Sequence, residues 1–214
     1  MPARTARKIW EAIRGDPSHP GKVALRVAVT GAVALVAFMV VAIGGATGLA
    51  WTGTLKFCIS CHEMRDNVYA EYQGTIHDVN RVGVRVVCSD CHVPHAPLAL
   101  IERKMQATFE IWGKLTGVIN TKEKFRAHRA ELAKTVWTRM LTTNSLECRN
   151  CHKVDAFDPD KESDEAKAAH GKAQKQGMTC IECHYAIAHN EPKGPGPQEL
   201  KKALGIGPQP WKVD

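Results

Sequence analysis

Every cysteine in this chain belongs to a Cys-x-x-Cys-His pentapeptide, and the pentapeptide occurs four times: Cys58–His62, Cys88–His92, Cys148–His152 and Cys180–His184. Two thiols three residues apart reach the two vinyl groups on one edge of a porphyrin, and the adjacent imidazole then falls over the iron. The pattern therefore predicts four covalently bound c-type haems, held through Cys58, Cys61, Cys88, Cys91, Cys148, Cys151, Cys180 and Cys183, with His62, His92, His152 and His184 as proximal iron ligands. Zinc is the competing reading of Cys-x-x-Cys pairs. A zinc site has no need of a His directly after the second Cys in every copy.

An iron with one imidazole takes a sixth ligand or stays open for chemistry. Ten His are present; outside the motifs stand His19, His77, His95, His128, His170 and His189. The motifs form two similar units. The first runs Cys58, His77, Cys88, His95; the second runs Cys148, His170, Cys180, His189. The lone His precedes the second motif of its unit by 11 residues in one copy and 10 in the other. Matched offsets of this kind name equivalent positions. His77, His95, His170 and His189 are the expected distal ligands, although the sequence does not say which haem each serves. His128 has no repeat counterpart and reads as a helix-surface residue; His19 lies on the N-terminal arm. Met64, two residues beyond His62, offers a thioether to the first haem, or serves as a flexible apolar filler.

The elements that must position these groups are predominantly helical. Residues 27–55 carry no charged side chain. About 20 apolar residues span a bilayer as a helix, so this segment predicts one transmembrane signal-anchor with Trp51 as an interfacial aromatic. A cleaved signal peptide is the rival, but its apolar core is shorter. The arm at residues 1–26 carries six basic against two acidic side chains. The positive-inside rule then puts the arm in the cytoplasm and everything beyond residue 55 across the membrane. Residues 56–190 form the tetrahaem domain. Within it, Ile101, Met105, Phe109 and Trp112 make one helical stripe, and Phe125, Leu132, Val136 and Met140 a second after a cap at Asn120-Thr121. Residues 163–176 read as a polar helix closed by Gly177. Residues 191–214 are rich in Pro and Gly and read as an extended or disordered tail. Aromatics make up only 6% of the chain, so porphyrins are expected to supply part of the apolar volume of the core. The net charge of +7 comes without basic runs interleaved with aromatics, which argues against nucleic acid.

These features together resemble the NapC/NirT family of membrane-anchored tetrahaem cytochromes. The likeness rests on the anchor, Cys58-Ile-Ser-Cys-His-Glu-Met64, Cys88-Ser-Asp-Cys-His-Val-Pro94, Arg103-Lys-Met-Gln-Ala107, Glu147-Cys-Arg-Asn-Cys-His152 and Thr179-Cys-Ile-Glu-Cys-His184 with Ile187-Ala-His189. The run from Ile111 to Phe125 is similar to the NapC branch, which supplies electrons to periplasmic nitrate reductase. The resemblance implies one transmembrane helix followed by a mainly α multihaem domain with an internal two-haem duplication. It implies quinol dehydrogenase activity on the membrane quinol pool (ubiquinol or menaquinol) beside the first haem, a periplasmic redox partner such as a nitrate reductase complex, and no terminal reductase chemistry. It also admits a homodimer. It points to Lys104 as the group that holds a quinol oxygen and Glu110 as a proton acceptor, with Asp90 a weaker alternative carboxylate. In one branch of the family the Met of Cys-x-x-Cys-His-x-Met replaces the motif His on the first iron, so both His62 and Met64 stay open. The rival classes are an anchored carrier without a quinol site, a terminal reductase, and a haem subunit fixed in a permanent complex.

Overall fold

The computed structural model describes residues 20–212. Residues 1–19, which hold His19 and most of the basic arm, and residues 213–214 lie outside the described residues. The described chain is mainly helical, contains no β-strand, and divides into two compact units that meet between Thr52 and Gly53.

The first unit is the single helix α1 (Pro20–Trp51). Pro20 is its first described residue. Its 32 residues span about 48 Å at 1.5 Å per residue, longer than the roughly 30 Å hydrocarbon core of a bilayer. Among the described residues it is the one helix long and apolar enough to cross a membrane. Its bounds differ from the apolar run at 27–55. The helix starts earlier, through Lys22 and Arg26, and stops at Trp51. Thr54 then caps a new short helix, accepting from the Phe57 amide at 3.2 Å, so Leu55 belongs to the next element.

In the second unit, α2 (Leu55–Cys58) carries the first motif Cys. A π-helical turn (Met64–Tyr69) runs into α3 (Ala70–Tyr72). Helix α4 (Cys88–His92) is the second motif itself. The long helices are α5 (Pro97–Leu115) and α6 (Lys122–Thr142). Helix α7 (Leu146–Cys151) carries the third motif, α8 (Asp164–Gln176) follows, a 3₁₀ turn (Cys180–Glu182) carries the fourth, and α9 (Pro197–Ala203) comes last. Two expected boundaries are present: Thr121 accepts from Lys124 N at 3.3 Å, and Gly177 closes α8 at φ +61°. Ser163, read as the first residue of that helix, is instead its cap, accepting from Ala166 N at 3.2 Å.

The apolar core is small. Trp137, Met140 and Leu141 of α6 pack with Ile181 and Leu200, flanked by Tyr185 and Ile206. The α6 stripe is buried in part, through Phe125 and Met140. The α5 stripe has the expected helical period but not the expected burial: Ile101, Met105, Phe109 and Trp112 are all exposed, Phe109 at 77%. Ser145 joins the third and fourth motifs. It is fully buried and left-handed at φ 53°, and its hydroxyl accepts from Thr179 Oγ1 at 2.7 Å and from Ile181 N at 3.1 Å. Those bonds offset the strain of a non-glycine residue in that region.

The C-terminal segment corrects the reading of residues 191–214 as an extended or disordered tail. Pro197 and the Glu199 carboxylate, which accepts from Gly196 N at 3.1 Å, start a helix too short to show a period, and its Leu200 enters the core. Lys201 donates to Glu182 Oε1 at 2.7 Å and to Gly177 O at 3.0 Å. Beyond it the chain clasps the third motif. Arg149 donates to Trp211 O at 2.6 Å and to Asn144 O at 2.8 Å, while Asn144 Nδ2 donates to Pro210 O at 2.8 Å. The tail also rests on Gly177, where a Cβ would lie 2.5 Å from Pro208 Cβ and 2.8 Å from Gln209 N. A second tie links the halves. The Glu71 carboxylate accepts from both terminal nitrogens of Arg129, one at 2.6 Å, and from Asn190 N at 3.0 Å.

Two predictions follow from these ties. Gly177→Ala should destabilise the folded protein by about 2–4 kcal/mol, the left-handed cost plus the clash with the tail. Gly205→Ala should cost only about 1–2 kcal/mol, because Gly205 is also left-handed, at φ +65°, but has open space around it; equal losses in denaturant titrations would contradict the tail contact. Burial raises the Glu71 carboxyl, but hydrogen bonds from Arg129 and Asn190 and the Arg129 charge outweigh it and hold the group below its ordinary 4.5. Its contribution is therefore complete above about pH 4.5 and fades as pH falls through the lower folded value. Glu71→Gln should lose about 1–3 kcal/mol at pH 7, with the gap to the parent narrowing in acid-unfolding curves.

Candidate functional site

Each motif sits on a short helical turn, which brings residues three apart to one side. The two Cys of a motif are thereby directed together, with the His following. Two of the turns are capped by the acidic residue of their own pentapeptide: Asp90 accepts from Val87 N and Glu182 from Thr179 N, both at 2.7 Å. The duplication read from the sequence is thus also a repeated local structure. Asp90, the weaker quinol candidate, is engaged in this cap.

The motifs follow one another in space as they do along the chain. Cys58 and Cys88 lie close enough to act on each other, an interaction that lowers Cys58 to about 7 and raises Cys88. Cys148 and Cys180 form the same kind of pair, with Cys180 lowered to about 6 and Cys148 raised. Helix α4 packs on α7, which joins the second motif to the third. All eight Cys are free of disulfides.

Three pairs of imidazoles face one another. His77 lies opposite His152, His92 opposite His189, and His170 opposite His184, each with ring centroids 6.2 Å apart. A metal–imidazole bond is about 2 Å and the ring centre lies about 1 Å behind the bonded nitrogen, so two rings sharing one metal stand about 6 Å apart. Every pair joins a motif His to a lone His, as a bis-His haem requires. Burial is the leading cause that lowers His77, His184 and His189, and burial followed by His189, Arg139 and Arg103 pushes His92 down to about 3. Neutral imidazole is the form that binds a metal. Supporting groups aim the rings. The Glu162 carboxylate lies 3.2 Å from His170 Nδ1, which directs the other ring nitrogen toward His184. The Tyr72 hydroxyl lies between the carbonyls of His77, at 2.8 Å, and Val86. The residues present therefore fit haem at three motifs.

The first motif is different. His62 is half-exposed, and its Nε2 lies 3.3 Å from Glu63 Oε1. No imidazole faces it among the described residues. His95 is exposed and is brought to none of the motif His, so the fourth expected ligand is not seated opposite a ring. Met64 is also exposed. His128 bonds within its own helix, with Nδ1 2.9 Å from Lys124 O, as a surface residue would.

Helix α5 surrounds the first motif with cations. Lys104 acts electrostatically on Cys58; burial lowers its own pKa and Cys58 acts against that shift. Lys114 donates to the buried Glu63 carboxylate at 3.0 Å. Burial raises Glu63, but its backbone hydrogen bond and Lys114 outweigh it and leave the group below its usual range. Glu110 does not join this cluster: its carboxylate pairs with Arg103 at 2.9 Å. Glu63 and Lys114 were not singled out from the sequence. The one available signal was the position of Glu63 directly after a motif His.

Comparison with known proteins gives the family. The N-terminal region of the NapC/NirT cytochrome c family matches residues 21–194. The denitrification system component NirT of Stutzerimonas stutzeri is 48% identical over 162 residues, which cover 76% of this chain and 81% of that protein. The cytochrome c-type protein NapC of Escherichia coli K12 is 49% identical over 146 residues, covering 68% and 73%. The cytochrome c-type protein TorY of Escherichia coli O157:H7 is 43% identical over 143 residues, covering 66% and 39%. No solved structure matches. With four Cys-x-x-Cys-His turns, three facing imidazole pairs and one apolar N-terminal helix, the chain belongs to the NapC/NirT family of cytochromes c, as a haem-binding electron-transfer protein with a membrane anchor.

Proposed function

We propose that this protein is a tetrahaem quinol dehydrogenase of the bacterial inner membrane, which takes electrons from membrane quinol and delivers them to a periplasmic reductase, with nitrate reductase as the acceptor. The observation that carries the reading is the contrast between three motifs closed by a facing imidazole and a first motif bordered by Lys104, Lys114 and Glu63. When bound, haem supplies one-electron exchange. His77 and His152, His92 and His189, and His170 and His184 would hold three of the groups, and two imidazoles on one iron would suit electron passage and leave the metal no position for a substrate. His62 or Met64, with His95 as the lone His left over, are the residues that remain for the first.

On this reading Lys104 donates a hydrogen bond to a quinol oxygen and stabilises the anion that develops there, its partial burial strengthening the contact. Glu110, the proton acceptor that the resemblance implies, is paired with Arg103 at 2.9 Å and would have to leave that partner to take up the proton. The exposed apolar residues of α5 suit an isoprenoid donor. The relatives' names point to more than one respiratory system, so the acceptor is read from the NapC-like run at Ile111–Phe125. A reductase of nitrite or another anaerobic acceptor is the second reading, favoured by the NirT relative.

The test is reduction of the purified full-length protein in liposomes by a water-insoluble quinol, followed at the Soret band. Rapid reduction is expected, and none by quinol in protein that dithionite reduces fully would leave an anchored carrier instead. Adding periplasmic nitrate reductase or nitrite reductase to the reduced protein distinguishes the acceptors by which one reoxidises it. Lys104→Gln should slow quinol-driven reduction by about 10²-fold or more and leave dithionite reduction unchanged.

A further inference from the structure

Four guanidinium nitrogens beside the second motif have no acceptor. Nε and Nη1 of Arg103 and Nε and Nη2 of Arg139 are buried without a hydrogen-bond partner. The two side chains come from different helices, α5 and α6, and converge. Arg103 lowers the pKa of Arg139, and both act on His92. Each is held from behind by a carboxylate. Arg103 Nη2 pairs with Glu110 at 2.9 Å, and Arg139 Nε stands 3.7 Å from Glu147 Oε1, too far for a hydrogen bond. Folded proteins rarely leave buried donors unpaired, because each such group forfeits its hydration for nothing. Two adjacent cations with free donors call for an anion rich in acceptor oxygens. The planar, forked geometry of guanidinium matches a carboxylate in particular.

We propose that Arg103 and Arg139 clamp the propionate carboxylates of the haem attached at Cys88 and Cys91, and that their charge raises the midpoint potential of that haem. The inference rests on the haem reading above and adds a role for two residues outside the motifs. His92 supplies the location: a porphyrin over its imidazole has two carboxylates on the edge opposite its thioether bonds. Two positive charges close to that porphyrin favour the reduced form, which carries one positive charge less at the iron. Glu110 and Glu147 orient the two Arg from the far side. On this assignment Glu110 acts first as an Arg103 partner.

The experiment uses full-length Arg103→Gln and Arg139→Gln proteins, with Arg139→Lys as the conservative variant, in a spectroelectrochemical titration of all haems. Intact mass is measured first. Four haems on the parent protein are required by the haem reading, and fewer would overturn that reading independently of the clamp. With four haems present, one midpoint of the four should move to lower potential in each Gln variant, further in the double variant, and less in Arg139→Lys. Selective loss of the haem mapped to the Cys88–His92 peptide would equally support the clamp. Unchanged potentials in the double variant would overturn it. So would a parent protein whose midpoint shifts on titration with inorganic phosphate, an effect the Gln variants abolish, since the donors would then serve a free anion.

Discussion

The fold is governed by the requirement that two imidazoles from distant parts of the chain face one another about 6 Å apart. Two of the three pairs cross the duplication. His77 of the first unit meets His152 of the second, and His92 of the first meets His189 of the second. The halves are therefore interlocked through these rings. Other contacts secure the crossing: the Glu71–Arg129–Asn190 cluster fixes the segment that bears His189, and α4 packs on α7. The two similar units thus form one structure, in which each half places an imidazole opposite a motif His of the other.

The same requirement explains the sparse apolar core and the many polar ties. Trp137, Met140, Leu141, Ile181 and Leu200 form one small cluster, too little to fix 160 residues by burial alone. Charged groups carry the remainder. Arg149, buried within the third motif, holds the tail through Trp211 and the end of α6 through Asn144. Lys201 and Glu182 form a buried pair at the fourth motif. Such pairs add little net stability, but breaking one partner is costly, so they favour a single arrangement of the motifs. They act where precision matters, on the residues that lie between the attachment points.

Much of this was legible in the sequence because the chemistry is local. A pentapeptide fits within one helical turn, so spacing alone marked the eight Cys and four His as candidates; the repeat offsets marked His77, His95, His170 and His189, of which all but His95 stand opposite a motif His. The facing partners were not legible, since they depend on how the two halves dock. The Pro/Gly pattern of residues 191–214 concealed α9, whose seven residues are too few for a period to show. The α5 stripe announced a helix correctly, but periodicity does not reveal what covers a face. Glu63 and Lys114 are 51 residues apart, and Arg103 and Arg139 lie on separate helices; no spacing rule joins either pair.

The first motif shows how function can arise from a break in the pattern. Saturated metal centres exchange electrons but bind no substrate at the metal, and on the proposed reading the donor stands beside the one motif that departs from the repeated arrangement. Here the departure has several independent parts. His62 is directed toward Glu63 rather than toward another ring, His95 lies exposed, and α5 brings Lys104 and Lys114 to the Cys58 and Glu63 neighbourhood while presenting Ile101, Met105 and Phe109 outward. Cations beside a redox group favour a quinol oxygen as it loses its proton, and an apolar helix face suits the hydrocarbon tail of the same molecule. The two demands of a quinol, a polar head and a lipid tail, are both met by residues of one helix. An anchored carrier fed by a soluble protein would need neither. The coincidence of both on α5, at the one motif without a facing imidazole, favours the quinol reading over the carrier.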